Sequence, residues 1–173
     1  DQSVVGLFIS DYWNYRMFKG ISEANKKPVS PGTMGILTDP SHPVFRNFPT
    51  EFHSNWQWWP IVKNSRPFIL DNTPAGYKPI VQVIDNIERN HKLGLIFEFS
   101  VGKGKLLVCM SDLRKLEEKP ESRQLYSGLL EYVSSDSFNP KYPLTASDLK
   151  KLFSTTAVRR EITGVGNISY SHD

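Results

Sequence analysis

Two apolar runs, Leu93–Val101 and Lys105–Met110, flank Gly102-Lys103-Gly104. Strand-forming side chains on both sides of a short glycine-containing loop specify a β-hairpin. Any fold for this chain must accommodate that hairpin. Shorter apolar runs at Val4–Ile9, Gly35–Leu37, Phe68–Leu70 and Ile80–Ile84 read as further strands, with Asp11–Lys19 a mixed aromatic segment after the first. Asp39-Pro40 and His42-Pro43 force turns, because a residue before proline avoids the helical region. Asn72–Gly76 is also turn-like.

Helical patterns follow the hairpin. Pro120 suits a first helical turn, and Leu125, Leu129 and Val133, joined by Tyr126 and Leu130, form an apolar stripe through Ser134. Thr145 and Asp148 resemble a capping box with Asp in place of Glu, and Leu149, Leu152 and Phe153 are the expected buried face. Gly164–Tyr170 reads as either a strand of a following domain or a loose tail. The expected organisation is an α/β domain over residues 1–144, then a C-terminal helix and tail over 145–173. The chain begins with Asp1, without a visible leader or an apolar stretch of membrane-spanning length. It is expected to be a processed or excised piece of a longer protein.

Phe48–Trp59 is the most distinctive segment, with three of the chain's four tryptophans at Trp56, Trp58 and Trp59 beside Glu51, His53, Asn55 and Gln57. Indole faces next to short polar side chains can grip a sugar ring, the aromatic face meeting C–H groups and the amides and carboxylates taking hydroxyls. The same residues can simply fill a core, since aromatics bury more area than other side chains. Pro49 and Pro60 bracket the block and disfavour a long helix through it. A short helix capped by Thr50 would place Phe52, Trp56 and Trp59 near one packed face and leave Trp58 at the surface.

Other chemistry is excluded more readily than supported. A net charge of +3, from 21 basic and 18 acidic residues scattered along the chain, supplies no stripe for neutralising phosphates. Neither nucleic acid nor membrane is an expected partner. The lone Cys109 lies in the apolar run and reads as an inert buried thiol. There is no phosphate loop, dinucleotide fingerprint or nucleophile elbow. His42, His53, His91 and His172 match no metal-ligand spacing, and no cofactor is expected. Glu51, Asp85, Glu88 and Glu98 are available carboxylates, but nothing in the sequence marks two as a glycosidase pair.

Several long blocks resemble a segment of family 2, β-galactosidase-like glycoside hydrolases. They are Gly35–Phe45 and Phe48–Trp59, the upstream Asp11-Tyr12-Trp13-Asn14, and the strands Lys78–Asp85 and Leu93–Glu98. Gly104–Leu113 and Arg123–Tyr132 continue the likeness, which spans roughly Val5 to Asn139. The resemblance implies a C-terminal accessory unit outside the catalytic barrel, with a flavodoxin-like or class I glutamine-amidotransferase-like mixed sheet and flanking helices. It implies a periplasmic or extracellular parent whose other domains are the partners. Amidotransferases of that fold use a cysteine on a strand-to-helix turn and a downstream histidine. Cys109 is in a late strand, with no histidine after it until His172, so that catalysis does not carry over.

Three readings stand. The first is a non-catalytic module that supports or docks on the catalytic barrel. The second is a carbohydrate-contacting module using the Trp-rich segment; Trp58, His53, Gln57, Asn55, Glu51, Trp56 and Trp59 are the candidates for carbohydrate contact or for domain docking. The third is a standalone glycosidase with a carboxylate pair.

Overall fold

A computed structural model describes residues 20–21, 28–29, 35–85 and 90–154. The expected strand at Val4–Ile9, the segment Asp11–Lys19, Glu88, and Gly164–Tyr170 with His172 all lie outside these residues. Eight strands and three α-helices occur among the described residues. In chain order they are β1 (Gly20–Ile21), β2 (Pro28–Val29), β3 (Gly35–Thr38), α1 (Trp58–Lys63), β4 (Phe68–Ile69), β5 (Val81–Ile84), β6 (Lys92–Val101), β7 (Gly104–Cys109), α2 (Pro120–Val133), β8 (Pro143–Leu144) and α3 (Ala146–Ser154). Single 3₁₀ turns form at Pro43–Phe45 and Leu113–Leu116.

The architecture is mixed α/β. β3, β5, β6 and β4 run in that order, β7 and β8 also pair with β6, and β1–β2 form a separate two-stranded ladder. The predicted hairpin is present: β6 and β7 pair antiparallel through a loop of Gly102 and Lys103. Gly102 takes φ +59°, the left-handed region that a side chain disfavours and a tight hairpin turn requires. Among the described residues only the β6–β8 pairing is parallel. A flavodoxin-like sheet is built from parallel strands joined by crossover helices. Here β5, β6 and β7 follow one another antiparallel, so no crossover is needed between them.

A bulge in β6 explains how one nearly continuous apolar run serves two cores. Val81 pairs with Ile96, but Gln82 pairs with Gly94, so Leu95 is an extra residue opposite β5. An inserted residue breaks the strict alternation of faces. Leu93, Leu95 and Ile96 accordingly join one cluster, with Ile36, Val81, Val83, Trp58, Ile61 and the α2 residues Leu125, Leu129 and Tyr132. Phe97 and Phe99 join the other, with Phe68, Leu70, Tyr77 and the α3 residue Leu152. Gly94 lies against this second cluster, where an added Cβ would come within 2.5 Å of Leu70 Cδ1.

The long helix forms where expected, but its buried stripe is shifted. Ser122, Leu125, Gly128, Leu129 and Tyr132 face inward, while Tyr126, Leu130 and Val133 are exposed. Gly128 sets that rotation, because its missing side chain lets the helix backbone approach the Val44 carbonyl. At α3 the cap is as read: Thr145 Oγ1 accepts the Asp148 backbone N–H at 3.0 Å and donates to the Asp148 carboxylate at 2.7 Å. Leu152 is buried and Leu149 half-buried. Phe153 is exposed instead of buried, lying edge-on to Phe68 with centroids 5.3 Å apart.

Candidate functional site

The tryptophan block does not form the helix expected within Thr50–Trp59. The chain turns at Trp56-Gln57, and α1 starts at Trp58 with Pro60 in its first turn. Proline is tolerated there because the first N–H groups of a helix have no intrahelical acceptor. From that start, Trp58, Ile61 and Val62 stand at i, i+3 and i+4 and form the buried stripe.

This start inverts the expected roles of the indoles. Trp58 is the fully buried one: its ring meets Phe45 at 6.0 Å and Phe48 at 5.2 Å, both edge-on, and its Nε1–H donates to Thr50 Oγ1 at 2.8 Å. A buried indole with a satisfied N–H is a structural anchor. Thr50 contributes as the acceptor of that bond rather than as a helix cap. Trp56, expected to pack, is 83% exposed, and Phe52 is 70% exposed. Trp59 is half-buried, its ring 6.4 Å from that of Trp56 and tilted by 57°. The separation of Trp58 from the other two was legible; which side faced water was not.

Polar neighbours complete the surface. His53 and Glu51 are exposed, with His53 Nε2 3.6 Å from the Glu51 carboxylate and Nδ1 donating to the Ser54 carbonyl. Asn55 and Gln57 are half-buried and hold the bend. Asn55 Oδ1 accepts the Gln57 N–H at 3.2 Å, and Gln57 Nε2 donates to the Pro49 carbonyl at 2.8 Å. Lys63 Nζ sits 5.5 Å from the Trp59 ring centroid, a cation–π contact that no motif in the sequence signalled. Leu37 is also exposed and bridges to His53, with Thr38 N–H donating to the Phe52 carbonyl to fix this loop on the sheet edge. The signal for Leu37 was its place in a short apolar run.

The sequence matches the model of the domain of unknown function DUF8487 over residues 1–154. The chain belongs to that family. No curated protein matches it. DUF8487 membership assigns no reaction, so the chemistry must be read from the side chains themselves.

The carboxylates in this DUF8487 domain have separate partners. Glu98 is half-buried on β6 and accepts a hydrogen bond from the Tyr132 hydroxyl at 2.8 Å; burial raises its carboxyl above the ordinary range, partly opposed by that bond. Burial and the Glu98 neighbour push the Tyr132 hydroxyl far up, so it stays protonated as the donor. Asp85 is buried and accepts the His91 backbone N–H at 3.1 Å. Asp71 accepts from both His91 Nδ1 and the Lys92 N–H at 2.7 Å, tying the loop after β4 to the start of β6. Burial raises the Cys109 thiol to about 11, which leaves it protonated and unreactive at neutral pH. Among the described residues no three metal-ligating side chains converge. His42 packs edge-on against Tyr132 at 5.1 Å, and desolvation lowers its pKa. A pocket of about 20 Å³ between Pro43–Asn47 and α2, lined by Gly128, Glu131 and Tyr132, holds little more than a water molecule.

Proposed function

We propose that this domain is a non-catalytic accessory module of a β-galactosidase-like glycoside hydrolase, docking on a neighbouring domain of its parent through the aromatic surface around Trp56. The carrying observation is the contrast within one segment: Trp58 is sealed in the core with its N–H satisfied, while Trp56 is 83% exposed. A rigidly anchored bend that presents an indole to solvent is the form of a binding hot spot, where Trp is enriched and polar groups ring the contact. Phe52, Trp59, Glu51, His53 and Lys63 supply the rest of that surface. The 57° tilt between the Trp56 and Trp59 rings favours an irregular protein surface over a flat sugar platform. The link to glycoside hydrolases rests on the sequence blocks quoted above. The antiparallel order of β5, β6 and β7 argues against extending that likeness to a flavodoxin-type strand order.

An oligosaccharide contact is the second reading, supported by the exposure of the Trp56 indole beside the Glu51–His53 pair. Separate partners for Glu98, Asp85 and Glu51 favour neither acid–base nor nucleophilic pairing of these groups.

The test is titration calorimetry of the chain against the separately expressed remainder of its parent polypeptide, and against a panel of oligosaccharides. Docking predicts that Trp56→Ala and Phe52→Ala weaken association with the polypeptide by more than about tenfold while the melting temperature holds. Association indifferent to both variants would sink the docking reading; oligosaccharide binding abolished by Trp56→Ala would install the second. Aryl-glycosides should show no turnover above background. Turnover lost in Glu51→Gln or Glu98→Gln would replace both with a hydrolase.

A further inference from the structure

The segment Lys105–Met110 has the composition of a central strand but, among the described residues, occupies an edge. Its run of Leu106, Leu107, Val108, Cys109 and Met110 does not alternate with polar residues, a pattern found in strands covered on both faces and both sides. Among the described residues β7 pairs with β6 alone. The hydrogen-bonding phase follows from Met110, whose N–H donates to the Leu95 carbonyl at 2.8 Å. Val108, Leu106 and Gly104 share that phase, facing Phe97, Phe99 and Val101. Lys105, Leu107 and Cys109 therefore turn their backbone N–H and C=O groups outward, away from β6.

Among the described residues this edge lacks the usual protection. Natural edges are guarded by proline, bulges or several charges. β7 pairs without a register shift, contains no proline, and carries one charge at Lys105. Its apolar side chains extend both cores to the edge: Leu107, Cys109 and Met110 pack partly on the first cluster, Val108 and Met110 on the second. All four remain partly open to water.

We propose that β7 pairs antiparallel with β7 of a second copy, about a two-fold axis through Leu107. The strand is complementary to itself in that register. Leu107 faces Leu107 of the second copy, and Lys105 faces Cys109 in both directions. All three outward-facing positions meet outward-facing positions, so each facing pair exchanges two hydrogen bonds. The two lysines lie at opposite ends, so no like charges meet. On the other side of the sheet, Leu106 faces Val108. Two-fold, self-complementary contacts are the commonest route to homodimers. A six-residue edge is small compared with the roughly 1,200–2,000 Å² of stable interfaces, so the pairing is weak and reversible.

Sedimentation equilibrium of the 173-residue chain tests this up to about 1 mM. The expected mass rises with concentration from 19.8 kDa toward twice that value. Leu107→Pro removes an outward N–H and leaves the β6 pairing intact, as proline is tolerated on that side of an edge strand. It should abolish the dimer, as should Leu107→Lys, which sets two charges face to face. Should either variant fail to fold by circular dichroism, a short bis-maleimide on a Leu107→Cys, Cys109→Ser chain decides, since it should join two copies efficiently. A chain that stays at 19.8 kDa and does not cross-link, or a dimer that survives Leu107→Pro but is lost in Trp56→Ala, overturns the proposal.

Discussion

The hairpin–helix region, residues 92–133, and the tryptophan bend, residues 48–63, have similar densities of large apolar side chains but opposite kinds of order. In the first, the two longest elements, β6 and α2, are long enough for their residue pattern to dominate. β6 spans ten residues and α2 fourteen, and most of their apolar positions fall where a strand or helix would bury them. In the second, position is set by a turn and by one helix start. Trp56 and Trp58 are two residues apart, yet one is 83% exposed and the other fully buried. Short elements are governed by their ends, so a shift of one or two residues in a boundary exchanges inside for outside.

The sharpest test compares the two indoles. Trp58→Ala removes a fully buried ring from between Phe45 and Phe48, and should cost about 3–5 kcal/mol, as aromatic core truncations do. Trp56→Ala should stay within about 0.5 kcal/mol, the range of surface changes. Urea denaturation of both measures the gap directly. Equal losses would break the comparison and place Trp56 in a packed environment. Thr50→Val, which removes the acceptor of the Trp58 N–H, should show part of the Trp58 effect, about 1–3 kcal/mol for an unsatisfied buried donor.

The helix offers the same contrast in the legible region. Leu125→Ala should cost about 2–5 kcal/mol, because transfer and cavity terms add at a fully buried site. Leu130→Ala, on the exposed face, should cost less than about 0.5 kcal/mol. A large loss at Leu130 would mean that another part of the molecule covers this face.

These pairs mark how far the sequence could be read. The β6–β7 hairpin, α2 and the α3 cap were visible because each depends on residues close together in the chain. The bulge at Leu95 was invisible, since it exists only in relation to β5. The rotation of α2 was half visible. Leu125 and Leu129 were placed correctly, but Tyr132 replaced Val133 in the stripe because Gly128 admits the Val44 carbonyl. In the candidate site, the grouping of Trp56 with Trp59 apart from Trp58 followed from spacing. The polarity of that grouping depended on α1 beginning at Trp58, with Pro60 accepted inside the first turn. Trp58, Ile61 and Val62 at i, i+3 and i+4 carried that signal, but Pro60 read as a boundary obscures it.

Gly128→Ala probes the rotation itself. An alanine Cβ would stand 2.8 Å from the Val44 carbonyl oxygen, a backbone atom that moves only with its 3₁₀ turn. Overpacking of this kind costs about 1–3 kcal/mol. Alanine returns about 1 kcal/mol through its better helix propensity. The net expectation is a loss of about 1 kcal/mol, read by thermal or chemical unfolding. A gain would show that the turn yields easily and that α2 is oriented by its leucines alone.

The smallest effect belongs to Glu98, the one acid that the legible strand carries half-buried toward α2. Because burial raises its folded-state pKa above the ordinary 4.5, the native chain takes up this proton at a higher pH than the unfolded chain does. Between the two values the native state binds more protons, and stability therefore falls as pH rises. The penalty is fully present above the folded-state pKa and absent below the unfolded one. Glu98→Gln removes the charge but keeps an oxygen that can accept from the Tyr132 hydroxyl. Relative to the native chain, the variant should be more stable near neutral pH, and the advantage should shrink as pH falls toward 4.5. Urea midpoints of both chains across that range give the measurement. A difference that does not change with pH would show that Glu98 titrates as a solvated acid, and that the half-buried centre of β6 tolerates charge as readily as the exposed bend beside Trp56.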